Sequence, residues 1–335
     1  MKTKILSIGI AFCAIAFTSC DSDDDNNNAP DNTRAELYAT SVSNGDVTVY
    51  DFANNAEVTT LTTASTSNEG IQYDASSDEL FVASRSSLRL NSYVNVESFL
   101  TGGISAVVGV NGSVDFNSPR ALALNGNSIV VADNGTNTFY VYTRTANGLT
   151  LRNQFDVNFA VWGVEFVGDD LYAVVDQTGD LAIFNDFLSN TTSGTLAASK
   201  TITIEGIVRT HGIAYDATDD ILIMTDIGAA SGAGSDTDGG FHVINNVRSN
   251  IANVADGGTL AIAGIQTRVA GAATLLGNPV DVTYDTATNT VIIAEIANGG
   301  GRILGYNNFE SGGNLTPSIN NTLAGASSVD FYLGN

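Results

Sequence analysis

Apolar and polar positions along this chain alternate on two scales. Locally, short apolar runs are separated by dipeptides such as Asn125-Gly126, Asn134-Gly135 and Asn147-Gly148, which supply the positive φ of tight hairpins. No stretch of the mature chain has the 3.6-residue apolar period of a helix. On the larger scale, five segments each pair a short alternating strand with a more continuous apolar one. Residues 69–74 precede 79–83, 120–124 precede 128–133, 162–166 precede 170–176, 211–216 precede 221–226, and 280–285 precede 291–295.

Aligning the small residue near the head of each unit gives Gly70, Ala121, Gly163, Gly212 and Asp281, spaced by 51, 42, 49 and 69 residues. Such periods suit a four-stranded unit repeated around a ring. The longest unit holds a Gly-rich loop at 231–240 and an extended outer part at 249–277, both read as loops added to an intact repeat. In the second unit, 139–142 reads as the third strand and 149–152 begins the fourth. The ends complete the count. Ser327-Ser328-Val329-Asp330-Phe331-Tyr332 repeats a first strand with nothing after it, whereas 36–40 and 47–51 look like second and third strands with no first strand before them. The pattern predicts an all-β, six-bladed β-propeller of four-stranded blades over 35–335, one blade being closed by the N- and C-terminal strands. Closure removes the open edges that would otherwise template aggregation.

The N-terminal segment has different physics. Met1-Lys2-Thr3-Lys4 followed by largely apolar residues to Phe17 has the build of a secretory signal over 1–19, and is too short for a membrane span. Its end, Phe17-Thr18-Ser19-Cys20, resembles the lipobox of bacterial lipoproteins, which implies acylation of Cys20 and a membrane anchor. Residues 20–34, opening with Asp21-Ser22-Asp23-Asp24-Asp25, read as an acidic, disordered tether. Acidic runs here resemble the surface-export tag of some Gram-negative lipoproteins, whereas Asp directly after the cysteine resembles an inner-membrane retention signal in others. The expectation is an exported protein of the cell envelope, at the outer membrane and exposed on the surface if the first likeness holds. Cys13 leaves with the signal and Cys20 carries lipid, so no mature thiol remains for a disulfide or a metal.

Charge narrows the partners. The chain carries -23, and losing Lys2 and Lys4 with the signal takes it to -25. Nucleic acid is excluded as a partner class because a phosphate backbone needs clustered basic residues. Solubility accounts for most of such acidity.

The strand that ends in Ala-Asp, as in Val130-Val131-Ala132-Asp133 after Pro119-Arg120-Ala121-Leu122-Ala123-Leu124, resembles NHL-type six-bladed propellers. That likeness specifies fold rather than activity. A narrower resemblance is to gluconolactonase-like propellers, whose first blade opens with Glu-Gly-Pro, an aromatic and Asp; Glu69-Gly70-Ile71-Gln72-Tyr73-Asp74 keeps all but the Pro. It implies a divalent cation, such as Ca2+, held by Glu69 in a metal-dependent lactonase or esterase-like hydrolase, with His211 as ligand or base. At the other heads, however, this chain offers Arg120, His211 and Val280, and an Arg opposes a cation by charge.

Propeller geometry places the first-strand heads, Glu69, Arg120, Trp162, His211, Val280 and Ser327, around the channel mouth. All but Val280 are candidate ligand-binding residues. Trp162, the only Trp, either packs or stacks on a flat ligand such as a sugar. His211 is either satisfied core polarity or a titrating group. Asp133, Asp176 and Asp226 recur at one repeat position, which favours turn capping, and Glu295 ends the corresponding strand of the fifth unit. Asp236 and Asp238 are spaced as in calcium loops, although the later acidic ligand is missing and a plain linker reads as well. No phosphate loop, nucleophile elbow or His pair for zinc is present. The sequence therefore favours a binding module for a glycan, peptide, protein or other small ligand over an enzyme, with the metal-dependent hydrolase as the alternative.

Overall fold

The computed structural model describes residues 34–229 and 237–334. The signal, Cys20, tether residues 21–33 and Asp236 lie outside the described residues, whereas Arg34, read as the end of the tether, already belongs to a strand. Each repeat forms one antiparallel sheet, giving six sheets among the described residues. We number the blades 1 to 6 by their inner strands: Asn68–Asp74, Pro119–Asn125, Val161–Val167, Ile213–Asp216, Pro279–Asp285 and Ala326–Gly334. The last of these pairs antiparallel with Arg34–Ser41, setting Val329 opposite Ala39 and Phe331 opposite Leu37. Blade 6 is thus built from both chain ends.

Six apolar clusters hold the ring, and each joins two neighbouring blades. Val130 and Phe139 of blade 2 pack with Leu171 and Phe184 of blade 3, while Leu80 and Val82 of blade 1 pack with Tyr38 and Val47 of blade 6. Successive residues of one strand face opposite sides of its sheet. Leu80 and Val82 accordingly serve one interface, and Phe81 and Ala83 serve the next. This two-sided burial explains why the second strands read as continuous apolar runs.

The sheets depart from four strands in two places. Gly194–Thr195 adds a fifth, parallel strand outside Gly148–Asp156 of blade 2, and Thr259–Leu260 does the same outside Lys200–Ile204 of blade 3. Each comes from a segment of the next repeat and covers the outer edge of the blade before it, which blunts edge-to-edge association. The outer part at 249–277 is therefore more than an added loop. Its start completes the short helix Val247–Asn253, and Gln266–Ala270 is the fourth strand of blade 4.

Two local features set the heads of the inner strands. The ladder slips between Glu69 and Ile71, Pro119 and Leu122, Val161 and Val164, and Pro279 and Asp281. A bulge of this kind bends a strand and re-aims its side chains; Arg120, Trp162 and Val280 all sit within one. The aligned small residues mark where adjacent inner strands approach most closely. A Cβ on Gly163 would lie 2.3 Å from the His211 carbonyl oxygen, and one on Gly212 would lie 2.7 Å from the Asp281 Cα.

Candidate functional site

At the channel mouth the heads of four consecutive blades, the first three of them bulged, meet in one connected row. Glu69 of blade 1 is buried and takes two guanidinium partners, Arg120 at 3.1 Å and Arg85 at 3.2 Å. Arg120 lies over the Trp162 indole, its guanidinium carbon 4.0 Å from the ring centroid. The His211 ring stacks on the same indole at 3.5 Å and 5°. Groups this near one centroid must occupy opposite faces, since on a single face they would overlap. The indole is therefore sandwiched, and neither face is open to a sugar. Stacking on a flat ligand, left open by the sequence, is closed by this geometry, and Trp162 instead couples blades 2, 3 and 4.

The row continues through Asp176, whose Oδ1 lies 3.2 Å from His211 Nε2 and 2.8 Å from Arg209 Nε. Burial works to raise the Asp176 carboxyl, but the hydrogen bonds and charges of His211 and Arg209 outweigh it and hold it at about 2. Burial lowers the His211 pKa despite the carboxylate beside it. The ring is thus neutral at pH 7, donates from Nε2 to Asp176, and leaves a buried Nδ1 with no hydrogen-bond partner. Burial likewise pushes Glu69 upward while Arg120 and Arg85 pull it back.

Asp176 departs from the role of its repeat position. Asp133 accepts the amides of Asn117, Ser118, Gly135 and Thr136, Asp226 those of Val208, Arg209 and Gly228, and Glu295 those of Gly277, Asn278, Ala297 and Asn298. These three are turn caps. Asp176 alone among them turns to a histidine and an arginine.

The remaining heads stand apart from the row. Ser327 is buried, donates to the Asn68 carbonyl at 2.8 Å, and lies 3.0 Å from the Thr40 hydroxyl, so it fastens blade 6 to blade 1. Val280 packs in the cluster between blades 5 and 6. His242, in the third strand of blade 4, is buried with Nδ1 2.8 Å from the Gln266 side chain.

The Glu69 candidate does not fit a cation, and the pair of Asp236 with Asp238 falls partly outside the described residues. Glu69 already faces two guanidinium groups, whose charge opposes a metal ion. Asp238 accepts the Ala229 amide at 3.1 Å, and among the described residues no three His, Cys, Asp or Glu side chains are placed to hold a metal. Sequence reasoning missed Arg85 and Arg209, because each lies in a loop off the repeat pattern and is tied to the row only by its ion pair.

No family model matches the chain, and no curated protein matches it by sequence. Its fold is similar to a chain in the crystal structure of a nidogen–laminin complex, with a TM-score of 0.62 at 12% identity over 89% of this chain and 98% of that one. It is also similar to a Bacteroides uniformis protein provisionally assigned as a 6-phosphogluconolactonase, with a TM-score of 0.58 at 13% identity over 90% of this chain and 99% of that one. At such identities the likeness carries the fold, and the protein is a six-bladed β-propeller closed by its own termini.

Proposed function

We propose that this protein is an exported, lipid-anchored propeller of the cell envelope whose channel mouth binds an acceptor-rich ligand, such as an acidic glycan or the acidic face of a peptide or protein. The observation that carries this reading is the gathering of Arg85, Arg120 and Arg209 at one mouth. The whole chain has only 13 basic residues against 36 acidic ones, yet three of them meet here. Their side chains remain 32%, 15% and 30% exposed while ion-paired, so each is held on one side without being fully enclosed. A guanidinium carries five donors in a rigid fork that matches carboxylate and sulfate. Pairing to Glu69 and Asp176 fixes those forks in advance, which lowers the ordering cost of binding. The solved chain from the nidogen–laminin complex supports the reading as a propeller found in an assembly with another protein.

Binding is tested by presenting the purified protein to arrays of neutral, carboxylated and sulfated glycans and to envelope extracts. The expected result is retention of an acidic ligand that weakens roughly tenfold or more in Arg85→Ala and Arg209→Ala, the loss of one charge-assisted hydrogen bond. A protein that retains nothing under any condition has no binding function at this mouth. For the anchor, fatty-acid label should enter the wild-type chain and not Cys20→Ser; equal labelling of both removes the lipoprotein reading.

A further inference from the structure

Past the mouth, the channel holds a cavity of about 240 Å³ lined by the inner strands of all six blades. Its titratable lining is Glu165 of blade 3, Tyr215 and Asp216 of blade 4, Asp281 and Tyr284 of blade 5, and Asp330 of blade 6. Blades 1 and 2 contribute residues such as Gln72 and Ala121, which do not titrate, and no Lys, Arg or His is among the described lining residues. Carboxyls here lack the guanidinium partners that those at the mouth possess.

Two of these carboxyls fasten the closing strand. Asp281 of blade 5 accepts the Val329 amide of that strand at 3.0 Å. On the other side, Asp330 of the strand accepts the Tyr73 amide of blade 1 at 2.7 Å. Glu165 makes only a local bond, from the Phe166 amide at 2.9 Å, and faces the same space.

We propose that ring closure is proton-linked: the channel carboxyls hold protons while the ring is shut, and their deprotonation in alkali loosens the closing strand ahead of the other blades. Burial pushes Glu165 up to about 8, with Asp330 and Asp281 adding like-charge repulsion. It pushes Asp281 to about 7 against the Val329 and Val282 amides, and Asp330 to about 6 against the Tyr73 and Phe331 amides. All three are raised above their ordinary values, so the folded ring binds more protons than the unfolded chain. The stability they contribute is whole below about pH 4 and is lost as pH rises through about 6 to 8. The closing strand feels it most, because it carries Asp330 itself and the like-charge repulsion between Asp330 and Asp281 of blade 5 falls on its seam with that blade.

Hydrogen exchange of the full chain at pH 6 and pH 9, corrected for the intrinsic rate, tests this directly. Amides of 326–334 and 34–41 should lose protection at pH 9 roughly tenfold more than those of 170–175, the equivalent of one pKa unit at one carboxyl. Glu165→Gln, which removes a channel charge without touching any bond of the closing strand, should shrink that difference, and Asp330→Asn should shrink it further if it folds. Equal loss in all blades, or a Glu165→Gln protein with an unchanged pH response, overturns the proposal.

Discussion

The mouth and the interior of the channel solve the burial of carboxyl groups in opposite ways. At the mouth, Glu69 and Asp176 are buried beside Arg85, Arg120 and Arg209, and the indole of Trp162 fills the space between the two ion-paired groups. Inside, Glu165, Asp281 and Asp330 line one cavity and accept backbone amides. Removing an arginine from the first region strips a buried carboxylate of one of its two partners, whereas removing a carboxyl from the second relieves repulsion. A buried ion pair is weak evidence of net stability, but breaking one is strongly destabilising. The same element, a carboxyl on an inner strand or at its rim, therefore has opposite consequences a short distance apart.

The largest effect that would break this contrast is at Arg120. Arg120→Ala deprives Glu69 of one partner and uncovers one face of Trp162, and should cost about 3 kcal/mol in chemical denaturation at pH 7. A change under about 0.5 kcal/mol, the scale of ordinary surface substitutions, would mean that the row is ornamental. Glu165→Gln should carry the opposite sign, stabilising by about 1 kcal/mol at pH 9 and by almost nothing at pH 5, where the native carboxyl is already protonated. Of similar size is Trp162→Phe, which keeps an aromatic plane between Arg120 and His211 and should cost about 1 kcal/mol through lost contact area.

Much of this was legible before the fold was seen, for identifiable reasons. The glycines at 70, 163 and 212 betray the repeat because adjacent inner strands leave little or no room there for a Cβ. The split blade was legible because 327–332 has the form of a first strand with no successor. Four heads of the mouth row followed from that alignment. Their mutual contacts did not, since whether Trp162 offers a face to solvent depends on which blade's side chain reaches it first, and sequence carries no such order. Asp176 shares a repeat position with the caps Asp133 and Asp226, so nothing local distinguishes it; only His211 and Arg209, one repeat later, redirect it. Glu165 and Asp330 stood at one repeat position where the other blades carry Gln72, Ala123, Ala214 and Thr283. An acid recurring on the axis of a ring was a readable signal, but one that acquires meaning only when both are seen to share a cavity with Asp281.

Because Trp162 is the only tryptophan and lies in the middle of the mouth row, its fluorescence reports on the proposed binding site without any label. The most direct test titrates the acidic glycan or envelope ligand recovered from the array into the wild-type protein and the Arg85→Ala, Arg209→Ala double variant while following that emission. A saturable change in the wild type that vanishes in the double variant is the predicted outcome. Binding that proceeds with equal affinity in both proteins and leaves the indole emission unmoved would place the ligand elsewhere and contradict the account.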